Sequence, residues 1–165
     1  MFSLFSPANH RLLFLGGVVA ALAFVPAEAK EVRAGSLLIT GAWSRPTPKG
    51  APAGIGYVTV RNVGSRTDRL LGASSPSAAR TELHDMSFKD GVMQMRPVEG
   101  GIVIPAGRTV RLQPSGHHIM LIGPKRPFAI GRTVPITLRF EHAGQVQVAF
   151  DVRMAPGQAN GTQRP

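Results

Sequence analysis

From about residue 36 onward, hydrophobic and polar side chains alternate in short runs, and no useful stretch repeats every three or four positions. The alternation is clearest near the C-terminal end. Ile136, Leu138 and Phe140 alternate with Thr137, Arg139 and Glu141. After His142-Ala143-Gly144, Val146, Val148, Phe150 and Val152 alternate with Gln145, Gln147, Ala149 and Asp151. Successive strand side chains point to opposite faces, so this segment predicts an antiparallel hairpin with one buried and one wetted face. His142 falls in its turn, where a solvated polar residue is at home. Further strands are predicted over 36–40, 55–62, 68–74, 78–88, 92–98, 108–113 and 117–122, separated by Gly, Pro, Asn, Asp and Ser clusters. Arg45 to Ala53 holds three prolines and a glycine and reads as a loop. The pattern predicts a single all-β domain, a sandwich or barrel.

The N-terminus departs from this pattern. Arg11 precedes an apolar run of 13 residues from Leu12 to Phe24, and Ala27-Glu28-Ala29 supplies the small residues of a cleavage site. The run falls short of the roughly 20 residues that span a bilayer. It predicts an export signal over 1–29, with the mature protein starting near Lys30 and standing free of the membrane outside the cytoplasm; the rival is an uncleaved anchor. The domain is expected over 30–154 and a disordered tail over 155–165, rich in Gly, Gln and Asn.

Charge and cysteine content narrow the function. The chain carries 19 Lys and Arg against 9 Asp and Glu, a formal net charge of +10. Removal of the leader takes Arg11 and Glu28 together and leaves that balance unchanged. Export argues against nucleic acid as a target and leaves an acidic protein face or an anionic membrane surface, while the scatter of the arginines along the chain supports the competing reading that the charge only keeps the protein soluble. The absence of cysteine excludes a blue-copper electron carrier, whose site needs a thiolate.

Soft donors concentrate in the middle of the chain: His84-x-Met86, Met95 and His118-x-Met120. Imidazole with thioether favours Cu(I), whereas hard oxygens favour Mg, Ca and Mn. Asp90-Gly91 is a two-residue hairpin signal. With that turn, Lys89 opposes Val92, Phe88 opposes Met93 and Met86 opposes Met95. His84, Met86 and Phe88 then share a face with Met93, Met95 and Pro97, and Met95 lies diagonal to His84, within reach of a long side chain. A one-residue slip would send Met95 to the opposite face. His118 and Met120 share a face on a later strand, with Ile119 and Leu121 turned toward a core. His117 has the wrong parity to join them and is expected in a loop or beside the site. The competing reading is methionine as core filler and histidine satisfied by ordinary hydrogen bonds.

At these residues the chain resembles the PCu(A)C family of periplasmic copper(I) chaperones, whose signature is His, ten residues, Met, twenty-one residues, then His-x-Met. Ten residues separate His84 from Met95, and twenty-two separate Met95 from His118, an excess that fits the Glu99-Gly100-Gly101 turn. A count of twenty-one would select His117, but His117-His118-Ile119 lacks the methionine. The likeness extends through Ala42-Trp43-Ser44-Arg45-Pro46-Thr47, Gly56-Tyr57, Arg61-Asn62, Leu83-His84-Asp85-Met86, Met93-Gln94-Met95-Arg96-Pro97-Val98 and Ile104-Pro105-Ala106-Gly107. The resemblance implies a cupredoxin-like Greek-key β-barrel or sandwich. It implies Cu(I) held by His84, Met95, His118 and Met120, with Met86 auxiliary. It also implies periplasmic delivery to a copper acceptor, such as the copper subunit of respiratory oxidase or its assembly factor.

No chemistry on a substrate is expected. The acids form no paired motif, and neither a Ser-centred nucleophile elbow nor HExxH occurs. The alternative to a copper carrier is a non-catalytic periplasmic β-sandwich that docks a partner. Zinc is a poorer match, since it prefers Cys, His and carboxylate.

Overall fold

A computed structural model describes residues 30–89 and 91–155. The predicted export signal, Asp90 of the hairpin turn and the tail from Pro156 lie outside the described residues. The strands are β1 (Val32–Ala34), β2 (Leu37–Ser44), β3 (Ala53–Asn62), β4 (Asp68–Ser74), β5 (Ala78–Lys89), β6 (Val92–Pro97), β7 (Ile102–Ile104), β8 (Thr109–Leu112), β9 (His118–Pro124), β10 (Thr133–Phe140) and β11 (Gln145–Val152). Among the described residues there is no helix.

The strands form one sheet in the order β6-β5-β9-β3-β2-β11-β10-β4-β7, with β1 beside β2 and β8 beside β3. Most neighbours are not consecutive in sequence, as in a Greek key. Ile39 and Val60 from one half of that order and Leu70, Ile136, Leu138 and Phe150 from the other belong to a single buried cluster. The sheet therefore curls on itself around one core, in a cupredoxin-like β fold. The C-terminal hairpin has the register its alternation predicts, with Leu138 opposite Val146, Ile136 opposite Val148 and Val134 opposite Phe150.

Two departures from the sequence pattern have local causes. β2 does not stop at Thr40 but continues to Ser44. The pairing to β3 shifts between Thr40 and Trp43, and Gly41 takes a φ of +60° there. An added residue bulges outward and the strand resumes beyond it. The three-residue strands β1 and β7 are too short to display a period.

β3 carries the strand that carries the candidate ligands. Its first half pairs with β9, Gly54 opposite Leu121 and Gly56 opposite Ile119. A Cβ at Gly54 would collide with the ring of buried Phe128, and one at Gly56 would press on Ile136 and Phe150 at 3.3 Å. The missing side chains let those residues pack flush against β3, which sets the depth at which β9 lies. Gly54→Ala should destabilise the protein by about 1–3 kcal/mol, the usual cost of overpacking a dense core, with the shift in urea midpoint as the measurement.

A buried carboxylate ties the far side together. Asp68 is 6% exposed. Its Oδ1 accepts from the Arg69 and His142 amides at 2.7 and 3.0 Å, and its Oδ2 from the Ala143 amide at 2.9 Å. Burial opposes ionisation, but the three amide donors outweigh it and hold the carboxyl below its ordinary value. A depressed carboxyl contributes stability that is full above the unfolded value and is lost as pH falls through the folded one. The stability gap between wild type and Asp68→Asn should therefore be constant at neutral pH and close on acidification below 3.8, as read by denaturant titrations across pH.

Candidate metal centre

Strand alternation builds the site on β6, β5 and β9. β5 and β6 pair with Lys89 opposite Val92, Phe88 opposite Met93, Met86 opposite Met95 and His84 opposite Pro97. That is the register the two-residue turn predicts, and Gly91 occupies it at a φ of +77°. On its other side β5 pairs with β9, His84 opposite His118 and Glu82 opposite Met120. Leu83, Ile119 and Leu121, of the opposite parity, belong to the core. His84, Met86, Met95, His118 and Met120 thus share the face that the core does not use. Glu99-Gly100-Gly101 lies in the connection between β6 and β7, outside both pairings of β5.

The two histidines form the centre of the arrangement. They are Cα partners, and their ring centroids are 5.9 Å apart at an interplanar angle of 48°. Nitrogen donors at about 2.0 Å from a shared ion place two imidazole centroids roughly 5–6 Å apart, so the spacing suits one ion between them. Both residues are buried, His84 at 9% and His118 at 1% exposure.

Each ring has one nitrogen occupied and one free. His84 Nε2 lies 2.8 Å from Glu82 Oε2, and an ionised carboxylate only accepts, so Nε2 carries the proton. His118 Nδ1 lies 3.0 Å from the Gly116 carbonyl, which likewise only accepts. The remaining nitrogens, His84 Nδ1 and His118 Nε2, are buried and have no hydrogen-bond partner among the described residues. Buried polar atoms are nearly always satisfied. Two bare lone pairs on neighbouring imidazoles suit a metal ion, and the hydrogen bond on the other nitrogen of each ring leaves one donor per histidine for it.

The methionines flank this pair unequally. Met120 lies two residues along β9 from His118, and Met86 two residues along β5 from His84. Met95 stands one strand further out, beside Met86, and is 42% exposed. Along the backbone, Met86 is nearer the histidine row than the auxiliary role implied by the resemblance suggests. Met93 and Phe88 continue the stripe outward at 64% and 74% exposure. No three His, Asp or Glu side chains gather into a metal-holding group among the described residues; the soft donors on this face besides the two imidazoles are the methionine thioethers. His117 Nδ1 lies 3.0 Å from Asp85 Oδ1 without a hydrogen bond between them, so its ring, next to His118 in sequence, also carries a buried nitrogen with no hydrogen-bond partner among the described residues.

Electrostatics favour neutral imidazole at the inner position. Burial lowers the His118 pKa from its ordinary value, and the Gly116 carbonyl opposes that only in part. Glu82 is held below the ordinary carboxylate range, first by the hydrogen bond from His84 and then by Arg80, whose Nε is 2.6 Å from Oε1. Arg80, Glu82 and His84 follow one another at period two on β5, so one carboxylate bridges guanidinium and imidazole. Glu82 belongs to no paired-acid motif in the sequence. The signal available was parity, since Glu82 shares a face with His84.

The fold and its match define the class of protein. Residues 37–152 match the family model described as "Putative lipoprotein LpqE-like", and the chain belongs to that family. It is 34% identical over 139 residues to "Putative lipoprotein Lxx21020" of Leifsonia xyli subsp. xyli, covering 83% of this chain and 82% of that protein. Solved structures similar to it include PCuAC domains. The copper-bound PCuAC domain from PmoF2 superposes with a TM-score of 0.65 at 26% identity, over 76% of this chain and 99% of that domain. The solution structure of CuI-DR1885 from Deinococcus radiodurans aligns with a TM-score of 0.54 at 31% identity, over 77% of this chain and 83% of that one.

Removing the orienting carboxylate tests the tautomer. In Glu82→Ala, the nitrogen-15 shifts of the His84 ring in the apo protein should move from a single Nε2-H form toward a mixture of tautomers. An outer-shell loss of this kind typically weakens metal binding about 10- to 100-fold.

Proposed function

We propose that this protein is a PCuAC-type copper carrier of the cell envelope. In this reading it holds one Cu(I) through His84, His118, Met95 and Met120, with Met86 lending a further thioether. The observation that carries the reading is the facing pair of buried imidazoles, each with one nitrogen tied and the other bare. The likeness to copper-bound PCuAC domains supports the choice of metal, and so does the preference of Cu(I) for imidazole and thioether.

Copper is cargo here, and the protein's task is to bind and release it. The histidines anchor the ion from the buried side, Met120 flanks them on β9, and Met95 approaches from the exposed edge strand β6. Thioethers are weaker donors than thiolates, so an acceptor offering cysteine ligands draws the ion away by ligand exchange from that open side. The acceptor in this reading is the copper subunit of respiratory oxidase or one of its assembly factors. The rival, a docking module without a metal, predicts no stoichiometric uptake.

Anaerobic Cu(I) titration of the protein from Lys30 onward should give one equivalent bound. Met95→Leu with Met120→Leu should weaken it by at least about tenfold, a loss of roughly 1.4 kcal/mol, and Met86→Leu by less. Unchanged one-to-one binding in the double variant would sink the ligand assignment. Acidification should release copper, because only neutral imidazole binds. Since His118 is held below its ordinary 6.5, its contribution should persist to pH values below that point before protons displace the metal. A competition titration with a Cu(I) chelator across pH reads both.

A further inference from the structure

Beside the candidate centre lies a second feature that copper binding does not use. A cleft of about 490 Å³ opens between β2, β3 and β8, lined by Gly41, Trp43, Arg45, Arg111, Gln113 and Pro114 among others. Trp43 packs on Tyr57 with centroids 4.6 Å apart, and the Arg153 guanidinium lies 4.9 Å from the Trp43 ring centre. Arg45, Arg111 and Arg153 form no ion pair among the described residues. Arg45 Nε is moreover buried without any hydrogen-bond partner. No acid lines the cleft. Asp151, the Cα partner of Trp43, is engaged by Lys30 at 4.0 Å.

Arg45 is half-buried with its Nε shielded from solvent, so an incoming carboxylate meets this guanidinium through its outer nitrogens. Arginine forks match carboxylates, and arginine with tryptophan is the combination that dominates protein interfaces. We infer that this cleft is a docking site for an acidic segment of a partner protein, its carboxylates seated on Arg45 and Arg111 against Trp43. The net charge of +10 steers such a partner toward the surface. The position is apt for a copper acceptor. Gln113 and Pro114 begin the turn in which the Gln113 amide donates to the His117 carbonyl at 2.8 Å and the Gly116 carbonyl accepts from His118. A partner held in the cleft stands one turn away from the histidine pair. The inference goes beyond copper binding, and its test uses the apo protein, so either can fail without the other.

Trp43 is the sole tryptophan, so intrinsic fluorescence reports the cleft alone. Titration of the apo protein with a hexaglutamate peptide at fixed ionic strength should give a saturable change. The apparent Kd should rise by at least about tenfold in Arg45→Gln, as for loss of a desolvated charge contact. Arg111 is exposed, so Arg111→Glu should fold normally and abolish the response. Three results would overturn the proposal: no saturable change, a wild-type response in Arg111→Glu, or an equal response to sodium chloride. Glutarate acting as well as the peptide at equal carboxylate concentration would also overturn it, marking a site for small anions.

Discussion

The pairing of β5 with β9 is the constraint on which the candidate centre depends. Antiparallel strands fix which residues stand side by side, and side chains alternate faces with period two. Setting His84 opposite His118 decides at once that their rings meet, that Leu83 and Ile119 go to the core, and that Met120 flanks Glu82. A slip of one residue would exchange the core face for the ligand face along the whole strand. The aliphatic side chains of β5 and β9 thus hold the register in which the soft donors converge.

Rigidity and accessibility are divided between the two halves of the site. The imidazoles are buried and tethered, His84 through Glu82 to Arg80 and His118 to a backbone carbonyl. The hairpin of β5 and β6 presents its methionines to solvent. A carrier needs both properties, because a fully enclosed ion cannot be handed over and a fully exposed one is poorly held. Local stability commonly follows this division, with moving parts drawn from weakly packed elements.

Much of this was legible in the chain. The alternation around Ile136 to Val152 gave the C-terminal hairpin, and Asp90-Gly91 gave the β5–β6 register down to the Met86–Met95 pair. Local turn chemistry suffices for neighbours in sequence. The meeting of His84 with His118 was not legible, because β9 reaches β5 by a long connection and only the closed core decides which strands adjoin. The tethers escaped notice for a related reason. Glu82 follows from parity on a single strand, but the Gly116 carbonyl is a backbone group in a turn whose shape no side-chain pattern announces. The predicted strand 36–40 ends before Gly41, and the bulge that carries β2 on to Ser44 exists only in its pairing with β3.

Pro97, the residue opposite His84, has a consequence of its own. β6 is the outermost strand at its end of the sheet, and an open strand carrying Val92, Met93 and Met95 in exposed positions is a template for self-association. Proline has no amide hydrogen to offer a neighbouring chain, so the free edge ends at the position opposite His84. Ending that strand in proline leaves its thioethers uncovered while limiting how far another copy of the chain could zip along it.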